Sequence, residues 1–285
     1  MRQILLTTLA LTVVSGAAAQ SRAGWPTVLN IGIIPTEGSS ASDERYAPLF
    51  TYLKNTLGVE VKSYVGADYA AVILAMQGKK IDMAYFGPKS YIEAADRAGA
   101  QALVRENALK GGTGYHSVIV VRADSPVKTM AQLKGMDFAF VDPNSTSGYL
   151  VPMSHFLLDL KVKPETYFKR VIFAGTHENV ILGVKNGTIP VGATNDLDLA
   201  RAVEGGALKA SDLRIIWTSK EIPASTLSVR RDLPETFKKA LSDALVKFKD
   251  PKGLENLQLK GYVVTTDQDY DPIRKLNEVT KAAAK

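Results

Sequence analysis

The chain has 285 residues, room for two domains of ordinary size, and its formal net charge of +6 is dispersed rather than gathered. No run of basic residues interleaved with aromatics occurs, which argues against a nucleic-acid partner. With no cysteine there is no disulfide framework, no thiolate metal site and no anchor point for a lipid.

In chain order, Arg2, the apolar residues 4–14 and the small residues Ala17-Ala18-Ala19 read as a signal peptide, residues 1–19, cleaved near Ala19. The apolar run is shorter than the roughly 20 residues a membrane span needs, so the expected mature protein is soluble and exported, as suits a Gram-negative periplasm. Strand-like and helix-like runs then alternate. Strands are expected at 28–34, 59–65, 81–86 and 102–105, with helices at 46–57, 69–77 and 91–97 between them. A strongly apolar strand follows at 117–122. A second series runs through a strand at 138–141, a helix at 148–160, a strand at 170–173, a helix at 178–185 and a strand at 191–194. Residues 215–219 and 227–230 read as strands, and helices at 234–248 and 270–283 finish the chain.

Repeated βαβ units predict an α/β fold with a mainly parallel sheet. The expected division is a first lobe of residues 26–119 plus 224–285 and a second lobe of residues 120–223 inserted into it. A chain crossing twice, near Val120 and near Ala224, would leave a ligand cleft between the lobes. That is the layout of a two-lobed, venus-flytrap periplasmic binding protein of type II. In such sheets, loops at the carboxyl ends of the strands face the ligand.

The run Asp142-Pro143-Asn144-Ser145-Thr146-Ser147-Gly148-Tyr149 sits between a strand and a helix. One Ser or Thr there is an ordinary helix cap. Three in a row can also turn hydroxyls and free backbone N–H groups toward one anion. The three histidines, His116, His155 and His177, form no metal-type pair, so no metal and no cofactor is expected. His155 reads as structural, whereas His177 follows a strand-to-helix turn that faces the cleft. The G-x-S-x-G elbow and the phosphate loop of nucleotide-binding proteins are both missing, and catalysis has no positive signal.

Read together with that run, Ala67-Asp68-Tyr69-Ala70-Ala71, Ala84-Tyr85-Phe86-Gly87-Pro88, Gly114-Tyr115-His116-Ser117-Val118 and Ala174-Gly175-Thr176-His177-Glu178-Asn179 resemble the phosphonate-binding periplasmic proteins of ABC transporters, the PhnD family. The similarity runs from about residue 30 to residue 230 in the family's order. The resemblance implies that Ser145, Thr146 and Ser147 hold the phosphonate oxygens with His177, and that Tyr69, Tyr115 and Tyr85 line the pocket. It implies a membrane permease with its ATPase as partner. Hydroxyls, helix-end amides and one imidazole would then serve the anion without a buried Lys or Arg. On their own residues, without the resemblance, Tyr69 and Tyr85 read as structural.

Family members that bind aminoethylphosphonate read its ammonium with two acids. Here Asp198 stands where that family has a longer Glu, and Ser225 stands where it has Asp. A buried ammonium with half its counter-charge is costly, which favours a small ligand with little or no substituent: phosphite, methylphosphonate or another short phosphonate. Aminoethylphosphonate and inorganic phosphate remain alternatives. Rival readings are an oxyanion-binding module for a sensor kinase and an exported hydrolase using Ser145 or Ser147 with His177.

Overall fold

The computed structural model describes residues 22–285, so the expected signal peptide lies outside the described residues. The first half builds β1 (Val28–Ile33), α1 (Ser39–Leu57), β2 (Glu60–Val65), α2 (Tyr69–Gln77), β3 (Met83–Phe86), α3 (Pro88–Ala98) and β4 (Ala100–Ala108). A short β5 (Gly114–Tyr115) leads to β6 (Ser117–Arg122), β7 (Asp137–Phe140), α4 (Val151–Ser154), α5 (Pro164–Tyr167) and β8 (Arg170–Phe173). Then come α6 (His177–Lys185), β9 (Val191–Asn195), α7 (Asp196–Glu204), β10 (Leu213–Thr218), β11 (Ile222–Pro223) and β12 (Thr226–Arg230). The chain closes with α8 (Glu235–Lys247), α9 (Pro251–Leu257), β13 (Leu259–Val264) and α10 (Asp271–Ala284).

These strands form two principal sheets. The first has the order β13-β4-β12-β3-β1-β2, and the second has the order β10-β6-β9-β7-β8. Both are mixed. β2 and β3 flank β1 in parallel, while β12 and β13 run antiparallel to their neighbours. In the second sheet β7, β8 and β9 are parallel, and β6 alone runs against its neighbours β9 and β10. The parallel character expected from the βαβ runs thus holds for strand direction, and the strands that bring the chain back supply the antiparallel ladders.

Between the sheets, Ile222 and Pro223 pair antiparallel with Tyr115 and Gly114, making a separate two-stranded ribbon. A boundary between residues 119 and 120 would divide β6, which pairs only within the second sheet. Helix α10 packs on α3 of the first series and on α4 of the second. The C-terminal helix therefore touches both halves.

The inner strands of each sheet, such as β3 and β9, are buried on both faces, as in sheets covered by helices, while the edge strands β2, β8 and β10 are not. On β6, Val118 and Val120 join the larger core, whereas Ile119 and Val121 point into a second cluster with Phe138, Phe140, Phe156 and Phe168. The Phe138 ring stacks on Phe168 at 4.6 Å and meets Phe156 edge-on at 5.3 Å. Burial of this kind is worth about 1.5–3 kcal/mol for each such side chain.

Three expected elements are longer or less regular than their sequence pattern. Helix α1 begins at Ser39, seven residues before the expected start at residue 46; Ser39, Ser40, Asp43 and Glu44 lie on its exposed side, while Ser42 is buried. Strand β4 continues to Ala108 and so includes Glu106. The helix expected at 148–160 contains wide, i→i+5 turns at Thr146–Leu150 and His155–Asp159 on either side of α4. Pro152 explains the first: it has no N–H to offer the Gly148 carbonyl, which accepts from Val141 N at 3.0 Å instead. Segments α7, α9 and β13 were not anticipated at all.

Candidate functional site

The eight residues singled out by the sequence are brought together. Tyr69, Tyr85, Tyr115, Ser145, Thr146, Ser147, His177 and Asp198 all line one cavity of about 30 Å³. All eight are buried. They come from the segments following β2, β7, β8 and β9, from β3 itself and from the ribbon strand β5. This is the carboxyl-end placement that α/β sheets give their ligands. One water takes roughly 10–15 Å³ on the same measure, so the cavity has room for a compact occupant only.

The hydroxyl run does more than cap a helix. Ser145 is a cap, accepting from Gly148 N at 3.0 Å. Thr146 Oγ1 accepts at 2.9 Å from Lys89 N, so it caps the start of α3, a helix of the other half that has no side-chain cap of its own. Ser147 Oγ accepts from Asn195 Nδ2 at 3.4 Å. A hydroxyl has one proton and two lone pairs. Each oxygen accepts from the protein, and each proton can go to a tyrosine oxygen beside it or to an anion. Gly148 is needed for this geometry: a Cβ there would run into the Val141 side chain and approach Ser145 Oγ to 2.9 Å.

The tyrosines add further donors. Burial pushes the Tyr69 phenol well above its ordinary value, with Ser145 in hydrogen-bonding reach. Tyr115 is likewise pushed up by burial and lies against Ser147 and Thr146. Both stay protonated at physiological pH.

The His177 ring is held by two neighbours. Its Nδ1 lies 3.0 Å from Thr194 Oγ1 and 3.3 Å from Asn195 Nδ2. Asn195 itself is fixed: its Oδ1 accepts from Asp198 N at 2.7 Å, and its Nδ2 donates to Asp198 Oδ2 at 2.5 Å. The Thr194 hydroxyl can donate to Nδ1, and in that tautomer Nε2 carries the proton. That N–H faces Ser145 Oγ at 3.5 Å. Burial lowers the His177 pKa, against the pull of Asp198, so the ring is a neutral donor.

Asp198 reaches the cavity already engaged. Its Oδ1 accepts from Arg201 Nη2 at 2.5 Å and Nε at 3.2 Å, and its Oδ2 takes Asn195. Burial would raise the carboxyl, but Arg201 and His177 outweigh it and hold it far below the usual range. The sequence expectation of a site without a buried Lys or Arg is corrected here, because Arg201 lines the cavity. It stands one turn beyond Asp198 on α7, where an i,i+3 acid–base pair can meet.

Sequence reasoning also missed Asn195, Thr36 and Glu106, all in the cavity wall. Glu106 was hidden by the early end of its expected strand, because it sits in the polar run Arg105-Glu106-Asn107, which carries no strand signal. Ser225 lines the cavity too, and its carbonyl accepts from Glu106 N at 3.0 Å. His155 and His116 lie elsewhere: His155 stacks on Trp217 at 4.4 Å, and His116 Nδ1 sits 3.1 Å from the Ser219 carbonyl.

The site closes across the two halves. Gly38 N donates to Glu178 Oε2 at 2.9 Å, and Glu178 N to the Thr36 carbonyl at 3.2 Å. A fold of this shape with a donor-lined interlobe cavity has known counterparts. A family profile described as "ABC transporter, phosphonate, periplasmic substrate-binding protein" matches residues 31–270. The chain belongs to this family.

It is 34% identical over 256 residues to the phosphonates-binding periplasmic protein of Escherichia coli, across 87% of this chain and 75% of that one. The phosphate-import protein PhnD of Mycolicibacterium smegmatis is 30% identical over 281 residues, 90% of this chain and 87% of the relative. Among solved structures, a binding protein component of an ABC phosphonate transporter from Pseudomonas aeruginosa matches with a TM-score of 0.85 at 32% identity, covering 90% of this chain and 87% of that chain. Members of this periplasmic family capture substrates for transport and are not enzymes, in line with the sequence expectation. Among the described residues no helix is long and apolar enough to cross a membrane.

Proposed function

We propose that this protein captures a compact phosphorus oxyanion, such as phosphite, methylphosphonate or another short phosphonate, between its lobes and delivers it to an ABC permease. Ser145, Thr146, Ser147, Tyr69, Tyr115 and His177 donate to the oxygens, while Tyr85 covers the ligand. Asp198 orients His177 through Asn195 and does not contact the ligand itself. Export would follow cleavage of the N-terminal signal near Ala19, and the permease with its ATPase would be the partner.

The observation that carries this reading is the state of the three hydroxyls. Each accepts a hydrogen bond from the protein, so each proton is held either by a neighbouring tyrosine oxygen or by an anion that enters. A tetrahedral oxyanion needs several convergent donors, and bonds of this charge-assisted kind contribute about 1.5–3 kcal/mol each. The small cavity favours a ligand with little substituent. The saturation of Asp198 by Arg201 and Asn195 argues against an ammonium tail at that position. The relatives' names, one for phosphonates and one for phosphate import, support the ligand class.

The test is isothermal titration of ligand-stripped protein with phosphite, methylphosphonate, aminoethylphosphonate, phosphate and sulfate. Tight binding of phosphite or methylphosphonate is the expected result. A preference for aminoethylphosphonate or phosphate would move the ligand within the class, and binding of none would overturn the class.

A further inference from the structure

One acid of the cavity has no role in the reading above. Glu106 is buried, lines the same small cavity as the hydroxyls, and belongs to no ion pair among the described residues. Among the described residues its side chain has one hydrogen-bond partner, Tyr85 Oη, which donates to Oε2 at 3.4 Å. Oε1 has no protein partner among the described residues and is not sealed in the core, which leaves it to the cavity. Glu106 and Ser145 to Ser147 line this one small cavity, so its occupant has Glu106 in its wall. Two unprotonated anions cannot share that contact, because each offers only acceptors.

We propose that Glu106 makes the ligand's own acidic proton part of recognition: its carboxylate accepts a hydrogen bond from a P–OH group, so the site selects hydrogen-bearing phosphorus oxyanions over fully ionised ones such as sulfonate or sulfate. This rests on the oxyanion-binding function proposed above and names the protonation state that function requires. A phosphonate monoanion keeps one P–OH at neutral pH, whereas a sulfonate has none to offer. A site built to pair with a donor leaves its acceptor unpaired when the analogue lacks that donor, and such sites discriminate strongly.

The surroundings of Glu106 suit this role. Arg45 and Tyr46 face it from α1, Tyr85 from β3, Tyr262 from β13, and Arg201 and Asp198 from α7. Burial pushes its carboxyl up, and Arg201 and Arg45 pull it back only in part; the ionised form is the one that accepts from a P–OH. Arg45 is engaged with Glu37 at 3.1 Å and Arg201 with Asp198 at 2.5 Å, so neither cation closes on Glu106. The carboxyl is thus kept near its cations without being consumed by them.

The experiment titrates wild type and Glu106→Gln with methylphosphonate and methanesulfonate from neutral to alkaline pH. Wild type is expected to prefer methylphosphonate by at least about a hundredfold. Its affinity should fall about tenfold per pH unit once the ligand's second proton is lost, with one proton taken up per ligand bound. Gln can turn either its N–H or its carbonyl to the ligand, so the variant should flatten the pH profile and narrow the preference to below about tenfold.

Lys89, lowered to about 8 by burial, titrates in the same window, but it is common to both proteins and cancels in the comparison. Should the variant fail to fold, the wild type alone decides. Buffers of different ionisation heat should show more proton uptake with methylphosphonate than with methanesulfonate, and equal uptake overturns the proposal. So does a Glu106→Gln protein whose preference and pH profile match wild type. Selective loss of aminoethylphosphonate affinity in the variant, with methylphosphonate unaffected, would assign the carboxylate to an ammonium and overturn it as well. If wild type binds neither methyl oxyanion, it is the functional reading itself that fails.

Discussion

Replacing Ser145 with Ala separates the two jobs of its hydroxyl. Ser145 Oγ accepts from Gly148 N at 3.0 Å and faces His177 Nε2 at 3.5 Å. Removing an N-cap side chain costs about 1 kcal/mol of stability, which for a protein of this size lowers Tm by roughly 2–4 °C. Losing one donor to a bound oxyanion costs a further 1.5–3 kcal/mol of binding, or about a 10- to 150-fold rise in Kd. Calorimetric titration with methylphosphonate or phosphite gives the second quantity, and thermal unfolding of the ligand-free protein gives the first. Thr146→Val is the control. The bond from Lys89 N to Thr146 Oγ1 forms only when the halves meet, so this variant should lose affinity with little change in ligand-free Tm. The reasoning is refuted if Ser145→Ala lowers Tm as described and leaves Kd within twofold of wild type (about 0.4 kcal/mol), since the hydroxyl would then be a cap and nothing more.

Two other outcomes follow from the electrostatics. Asp198→Asn leaves the Arg201 guanidinium largely buried without its counter-ion, and urea unfolding should show a loss of about 3 kcal/mol. An unchanged midpoint would mean that water already screens the pair. His177 has the opposite sign of linkage from a salt-bridged histidine. Its folded pKa lies below the unfolded value near 6.5, so the unfolded chain binds more protons as pH drops below that value. Ligand-free stability should therefore be full above that pH and decline beneath it, and His177→Gln should shallow the decline. A decline as steep in the variant as in wild type would place its origin elsewhere.

Much of the site was legible in the sequence because βα loops carry it. Tyr69, Ser145 to Ser147, His177 and Asp198 each follow a strand, and the carboxyl ends of strands in a shared sheet converge whatever lies between them in sequence. The hydroxyl run, the absence of cysteine and the alternation of strands and helices were local facts, and they determined the α/β class and a donor-rich pocket. Tertiary structure decided which groups are spent and which are free. Asp198 looked available until Arg201 and Asn195 closed on it, and Thr146 looked like a cap for its own helix until Lys89 of the other half took that bond. Glu106 lay beyond the expected strand, in the polar run Arg105-Glu106-Asn107, until β4 ran on to Ala108 and brought it to the cavity wall. The physical reason is that donor and acceptor capacity is settled pairwise between residues far apart in the chain. A sequence displays the groups, and the packing of the two halves determines which of them remain unpaired for a ligand.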